Sequence, residues 1–490
     1  MKNMTFSKIL ILILVCLIIG GVLPYLFMQF SVKLVLFVVA LLGFICLLLI
    51  KQGRITVYDW LILFFMAIPF HDFRIMFGSF FLRLTEVFFI PFFIWASVQI
   101  TRNKSDRKNL LRLEPEYVSL LFFYAFTVIS IACSISPFIS IYRTVVLLYL
   151  ILLSFIISKI LKHEDKIYLI IKAMIAVSAA ASIFAIFQSL IPALQPFHPI
   201  PLARLWGLTI YRSGAGWQNP NYLALYLTMI FPITYVCKIS NLFPEKKFLQ
   251  VSFILQLFGL ISTYSRLGFI SLSLTFLCLL AVRGKKNLAL ILLIILTILA
   301  ITTFMSMTYI YEYHPFLART IFRIPYLDMV MKNPLLIAGW RRDAWIANFR
   351  MFADHPFLGV GPFMSTAMYS EYRPTDQVYQ LKWGLAVHNE YLSLLSERGL
   401  FGTLLFLGFL FFLTTRSIVF YKKNKSSRQG KLMLGLWASI LNFMFFSFGG
   451  ATIYSVEFWI NVGIIFALYN SNKNQIEINS NDSGAGAIHE

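Results

Sequence analysis

Long apolar runs separated by short polar connections make up most of the chain. Fourteen runs stand out, at roughly 9–27, 32–50, 57–70, 84–100, 117–135, 138–158, 167–190, 220–237, 248–264, 267–282, 288–309, 392–415, 432–448 and 455–470. They are continuous and mostly about 16 to 23 residues long, which suits helices crossing a hydrocarbon core about 30 Å thick. A membrane barrel would instead show alternating polarity over strands of about ten residues. The third run, Val57 to Phe70, is the shortest. The pattern predicts an all-α polytopic membrane protein with about 14 transmembrane helices, in a range of about 12 to 14.

Two connections exceed the short-loop pattern. One runs over 191–219, and a much longer one, 310–391, lies between spans eleven and twelve. Loops beyond about fifteen residues are usually functional or disordered. The long loop is not low-complexity: Trp340, Trp345, Phe349, Phe352 and Trp383 give it apolar anchors, and residues 341–353 place Arg342, Trp345, Phe349 and Phe352 on one side at helical spacing. This segment is expected to be an interfacial helix that stops before Pro356. The organisation is therefore read as spans one to seven over 1–190, spans eight to eleven with arginine-bearing outer loops over 191–309, the large partly helical periplasmic or outer loop over 310–391, spans twelve to fourteen over 392–470, and a disordered cytoplasmic tail over 471–490.

Composition agrees with the pattern: 59% of residues are hydrophobic, 13% are charged and the mean hydropathy is +0.78, against about 45–50% apolar content in soluble domains. The formal net charge of +21 is read as a topology signal. With the N-terminus in the cytoplasm, Arg102, Lys104, Arg107, Lys108 and Arg112 share one inner loop. A second inner loop holds Arg416, Lys422, Lys423, Lys425 and Arg428, in keeping with the positive-inside rule and with attraction to anionic inner-leaflet lipid. Both termini then lie inside. No basic domain stands apart from the spans, so nucleic acid is excluded as a partner. The first run is too long for a signal peptide and lacks a small-x-small cleavage site after it.

Cys16, Cys46, Cys133, Cys237 and Cys278 all sit in apolar runs, without disulfide or zinc spacing. There is no GxGxxG, P-loop, GxSxG or HExxH pattern. No cofactor and no metal site is expected, and the energy for any reaction must come with the substrate or as a gradient.

Polar chemistry collects on the expected outer side. Arg212 lies in YRSGAGWQNPN (211–221), Arg266 in TYSRLG (263–268), and His388 in HNEYL (388–392). Guanidinium forks suit phosphate oxygens, and histidine is the side chain best placed near neutral pH to take a proton from a hydroxyl. Each has an ordinary reading too. An outer arginine can snorkel to headgroups, and His388 can be a hydrogen-bonder at a helix start. Asn219 and Asn221 around Pro220 suit helix capping, Gly359, Gly361 and Pro362 suit a turn, and Arg83 and Arg143 near span ends suit structural roles.

Four stretches together resemble the O-antigen ligase and polymerase superfamily of bacterial envelope glycosyltransferases: 212–226 (RSGAGWQNPNYLALY), 263–268 (TYSRLG), 341–364 (RRDAWIANFRMFADHPFLGVGPFM) and 388–402 (HNEYLSLLSERGLFG). The resemblance spans roughly 200–415, including the long loop ahead of the His-Asn pair. It implies an inverting, metal-independent transfer of a glycan from an undecaprenyl-diphosphate carrier to an acceptor hydroxyl on the outer face. It further implies that His388 activates the acceptor while Arg212 and Arg266 stabilise the leaving diphosphate. Arg204, Asn219, Asn221, Asn389, Tyr391 and Arg342 are the accompanying candidates for substrate binding, and Arg204 competes with Arg212 for the upstream arginine position. Fourteen spans exceed the twelve common among ligases.

Within the class, a ligase moves finished polysaccharide onto lipid A–core, and a polymerase extends a chain on its carrier. The His-Asn segment favours the ligase. A protein O-oligosaccharyltransferase is a third option. A transporter would also be polytopic and basic inside, but the chain shows no convincing internal repeat of the kind such folds carry. Expected partners are the carrier-linked donor, a glycan, lipid A–core or repeat-unit acceptor, the bilayer, and proteins of polysaccharide export.

Overall fold

A computed structural model of the chain describes residues 56–72, 74–77, 80–102, 115–191, 194, 200–205, 208–285, 287–291, 293–294, 340–374 and 386–485. The expected spans at 9–27 and 32–50, most of 288–309, and the loop stretches 310–339 and 375–385 lie outside these residues.

The described elements run α1 (Val57–Ala67), β1 (Arg74–Phe77), β2 (Phe80–Arg83), α2 (Leu84–Arg102), α3 (Pro115–Ser130), α4 (Pro137–Ile160), α5 (Glu164–Leu190), β3 (Ile200–Leu205), β4 (Leu208–Arg212), α6 (Pro220–Ile239), α7 (Lys246–Thr263), α8 (Arg266–Val282), α9 (Trp340–Asp354), α10 (Tyr369–Tyr372), α11 (Glu390–Lys423), α12 (Arg428–Phe446) and α13 (Val456–Ala485). Their starts follow from local chemistry. Pro137 and Pro220 occupy the first turns of α4 and α6, where a missing N–H costs nothing. Asn219, Ser265, Asn389 and Ser427 each accept a backbone N–H of the first turn of α6, α8, α11 and α12. Thr56 and Asp59 form a reciprocal capping box at α1.

Among the described residues, five helices are long and apolar enough to cross a membrane: α2, α4, α5, α6 and α11. The fold is not purely helical, because β1 pairs antiparallel with β2 and β3 with β4 in two separate hairpins. The weak third run behaves differently from a full span. At 11 residues α1 is about 17 Å long, short of a core about 30 Å thick. It is packed into the protein by Leu61, Phe64 and Phe65. At the other end of the chain, α13 continues as helix through the polar residues 471–485, where a disordered tail was expected. The segment has no proline, and its first glycine is Gly484, so nothing stops a helix already nucleated by its buried half.

The core is built around α6, which α12 covers, while α13 lies on α4, α7 on α5, and α11 on α3. Glycines allow two of these approaches to be close: a Cβ on Gly463 of α13 would sit 2.6 Å from the Ser154 carbonyl oxygen of α4, and one on Gly259 of α7 would sit 2.5 Å from the Ser182 Cβ of α5. Small residues at crossings and side-chain hydrogen bonds between helices are the means of association where apolar burial gives little drive. Here Asn442 donates to Thr228 (2.8 Å), Asn461 to Ser439 (2.7 Å) and Gln256 to Ser178 (2.6 Å).

The two ends of the bundle differ. At one end gather Lys162, Lys166, Lys246, Lys247, Lys422, Lys423 and Arg428, with Lys172 of α5 paired to Glu245 and Arg428 donating to the Leu242 carbonyl. At the other end the chain turns through the segments that carry the histidine and arginine motifs.

Helix α11 is broken near that second end. Gly399 has φ 63° and ψ −169°, so the backbone leaves the helix for one residue and frees groups that need partners. The segment 356–361 supplies them: Val360 N–H donates to Ser396 O (2.8 Å), Gly361 N–H to Glu397 O (3.1 Å), and Leu400 N–H to Pro356 O (2.7 Å). The hydroxyl of Ser130 adds a bond to Glu397 O (2.9 Å). The approach is close enough that a Cβ on Gly359 would lie 2.3 Å from the Glu397 carbonyl carbon, and one on Gly399 would lie 2.2 Å from Phe357 O. Gly359, Gly361 and Pro362 do make a turn, and the turn is the piece that fills the break.

Candidate functional site

The loop 212–219 is pinned from several directions. Ser213 N–H bonds Ser262 O (3.0 Å), and its hydroxyl donates to Gln188 Oε1 (2.6 Å). Gln188 in turn donates to Ala215 O (3.0 Å). Gly216 N–H reaches Pro69 O (2.9 Å), and a Cβ at Gly216 would meet that same oxygen at 2.4 Å. This rigid loop carries Arg212, whose Nε donates to Thr263 O (3.0 Å) and whose Nη2 donates to Asn221 Oδ1 (3.2 Å). Thr263 ends α7, and Tyr264 turns the chain in the left-handed region at φ 49°. Arg266 follows at the exposed start of α8. The α7–α8 turn therefore brings Arg212 and Arg266 together.

A third arginine joins them. Arg341, in the first turn of α9, is half-buried. Burial, and then repulsion from Arg266, pushes its guanidinium below the usual range; Arg212 is lowered by the same two causes in the same order. His388 stands next in line. Its pKa is pushed down to about 4, first by burial and then by the positive charge of Arg341. At neutral pH the imidazole is uncharged, able to accept a proton, and within the field of Arg341.

His388 itself is held in an uncommon backbone state, φ 46°, which histidine tolerates better than most residues and which points to a local constraint. The constraint comes from both sides. Trp345 Nε1 donates to Val387 O (3.1 Å) ahead of it. Behind it Glu390 N–H bonds Ser447 O (2.8 Å), and the buried Glu390 carboxylate accepts the backbone N–H groups of Thr452 and Ile453.

The other sequence candidates separate into groups. Asn221 touches Arg212. Asn219 and Asn389 cap helices, Asn389 through Leu392 N–H (3.2 Å). The Tyr391 hydroxyl donates to Met444 O (2.7 Å) and ties α11 to α12. Arg342 pairs with the fully buried Asp343 (3.1 Å). Arg204 lies in β3 opposite Thr209.

The signal for Arg341 lay in the neighbouring arginine motif, where helical phase alone favoured Arg342. The deciding fact is which face of α9 docks. Asp343, Ala344, Ala347, Asn348 and Met351 are buried, whereas Phe349 is 61% exposed. The small-residue face packs, with Asn348 accepting from Ser396 of α11 (2.6 Å), and the aromatic face does not.

Compared with known families, residues 251–407 match the O-antigen ligase family. This stretch, about a third of the chain, includes Arg266, Arg341 and His388 but not Arg212. The match supports the O-antigen ligase superfamily that the motifs suggested. Together with the apolar helices, it supports a membrane protein and suggests a glycosyltransferase-like activity of the O-antigen ligase or polymerase type. No curated protein matches the chain.

Proposed function

We propose that the chain is an O-antigen ligase-type glycosyltransferase that moves a glycan from an undecaprenyl-diphosphate carrier to an acceptor hydroxyl. The reaction takes place at the outer face of a bacterial inner membrane, with the lysine-rich end of the bundle in the cytoplasm. The observation that carries this reading is the convergence of Arg212, Arg266 and Arg341 beside a neutral His388. Like charges raise one another's energy, so such a cluster is poised for an anion that relieves the repulsion. A diphosphate fits, since its negative charge grows as the glycosidic bond breaks.

In the proposed step the acceptor oxygen attacks the anomeric carbon while its proton passes to the imidazole of His388. The bond from the anomeric carbon to the diphosphate oxygen breaks, and the electron pair leaves with the diphosphate, held by the guanidinium groups. One displacement inverts the anomeric centre, and the guanidiniums provide the cationic stabilisation without a metal ion. Donor binding also tunes the base. The diphosphate offsets the positive field at His388 and raises its pKa from about 4 toward the range where it accepts a proton effectively.

The test is polysaccharide profiling of a strain deleted for the gene. A ligase deletion leaves bare lipid A–core with carrier-linked polymer accumulating, and wild-type protein restores capped core where His388→Ala does not. Core bearing a single repeat unit would identify a polymerase instead, and an unchanged envelope would overturn both.

A further inference from the structure

A second polar space opens at the motif-bearing end. It is a cavity of about 290 Å³ lined among others by His71, Asp72, Arg83, Arg143, Tyr454 and Glu457. None of these belongs to the arginine–histidine cluster. The two sites share one loop: 212–222 gives Arg212 and Asn221 to the cluster, and Trp217, Gln218, Asn219 and Tyr222 to the cavity wall. Tyr222 lies within electrostatic reach of Glu390, the residue two beyond His388, and of Asp72, Arg83 and Arg143.

The chemistry of the lining is mixed. Arg83 holds His71 through Nη1 (2.6 Å), but its Nε is buried with no hydrogen-bond partner among the described residues, as is the Ser455 hydroxyl on the same wall. Arg143 lays its guanidinium over the Phe363 ring at 3.6 Å, which leaves its in-plane N–H groups as donors. Against these donors stand two carboxylates. Asp72 accepts Gln218 N–H (2.9 Å), and Glu457, in the first turn of α13, is only 5% exposed. Aromatic faces from Trp217, Tyr222, Phe363 and Tyr454 complete the wall.

A simple anion would meet Asp72 and Glu457, and an apolar ligand would strand the buried donors. Sugar hydroxyls both donate and accept, so a polyhydroxylated ring satisfies guanidinium and carboxylate together while its carbon face lies on the aromatic rings. The volume is at the small end of the ~300–1,000 Å³ typical of ligand sites, room for a short sugar unit rather than a polymer.

We propose that this cavity is the acceptor subsite, taking a neutral, polyhydroxylated sugar unit and presenting its hydroxyl toward His388. This rests on the transfer reading above for its role, but its ligand chemistry stands on the cavity alone. The full chain in lipid nanodiscs is titrated with a carrier-free oligosaccharide released by mild acid from the producing cell's own envelope polysaccharide, with saturation-transfer NMR as readout. Wild type is expected to bind. Glu457→Gln, which keeps the shape and replaces the carboxyl group by an amide, is expected to bind roughly 5- to 20-fold more weakly.

Ala451→Phe fills the cavity from its exposed rim without removing a buried group, and is expected to abolish the signal even if Glu457→Gln disturbs folding. Pyrophosphate should not displace the sugar. Absence of binding by wild type, full binding by Ala451→Phe, or displacement by pyrophosphate would each overturn the proposal. Failure of the transfer reading is seen separately, as glycan transfer that survives in His388→Ala.

Discussion

The two polar regions at the motif-bearing end use the same residue types to opposite effect. In the cluster, Arg212 and Arg341 are each pressed by Arg266, and His388 is depressed by Arg341. In the cavity, Arg83 and Arg143 share the wall with Asp72 and Glu457. Neighbouring like charges favour a ligand that brings negative charge, and a wall that mixes cationic donors with carboxyl groups favours one that brings hydroxyls. An arginine near the end of a span is therefore uninformative on its own, and its neighbours decide whether it waits for a phosphate or belongs to a polar wall.

The sharpest way to break the contrast is to remove the base. His388→Ala is expected to lower transfer by roughly 10²–10⁴-fold with membrane insertion intact, measured with carrier-linked donor and purified protein. Near-normal turnover would remove His388 from the chemistry. Next come the arginines. Arg341→Gln and Arg266→Lys are each expected to reduce kcat/KM by roughly 10- to 100-fold, the worth of a charge-assisted hydrogen bond to the leaving group. Arg342→Gln, which loses its pairing with Asp343, should stay within about 3-fold. Equal losses at positions 341 and 342 would show that the cluster has been drawn one residue wrong.

A smaller effect tests the framework common to both regions. Gly399→Ala should cost about 1–3 kcal/mol in thermal unfolding, because its Cβ would collide with Phe357 O. It should weaken donor and acceptor handling together, where Arg341→Gln affects the donor alone. Last is a pH profile. Protonated His388 cannot act as base, so kcat/KM, which reports the free protein, should rise with pH through about 4. The limb of kcat should sit at higher pH, because bound diphosphate stabilises the imidazolium. Coincident limbs near the ordinary histidine value would mean that the arginines do not set its titration.

Much of this was readable from residue order. Apolar runs located the starts of the apolar helices to within a few residues, as at 220–237 against Pro220–Ile239, while α11 and α13 continue well past their runs. The arginine and histidine motifs marked the segments that converge. What could not be read was anything decided by contact between distant segments. Gly399 sits in an apolar run that looks continuous, and only the docked turn from 356–361 makes a left-handed residue favourable there. Arg341 and Arg342 are adjacent in sequence, and the choice depends on small residues of α9 finding α11. Asn389 and Tyr391 looked like ligand contacts because they flank His388, yet their side chains hold the helix start that fixes it. Arg83 and Arg143 lie near span ends, which suits structural roles, and the carboxyl groups that share their cavity come from residues as far apart as 72 and 457.

The break in α11 also has a consequence for how the molecule is made. Its missing partners come from 356–361, synthesised before the helix they complete, while Tyr454, which receives Arg398 Nη2 at 3.2 Å, is synthesised more than fifty residues after it. During translation the turn exists first without its socket, and the socket then exists without its last support. This end of the protein can therefore lock only when the final helices are in place, so an incomplete chain holds neither polar site in working form.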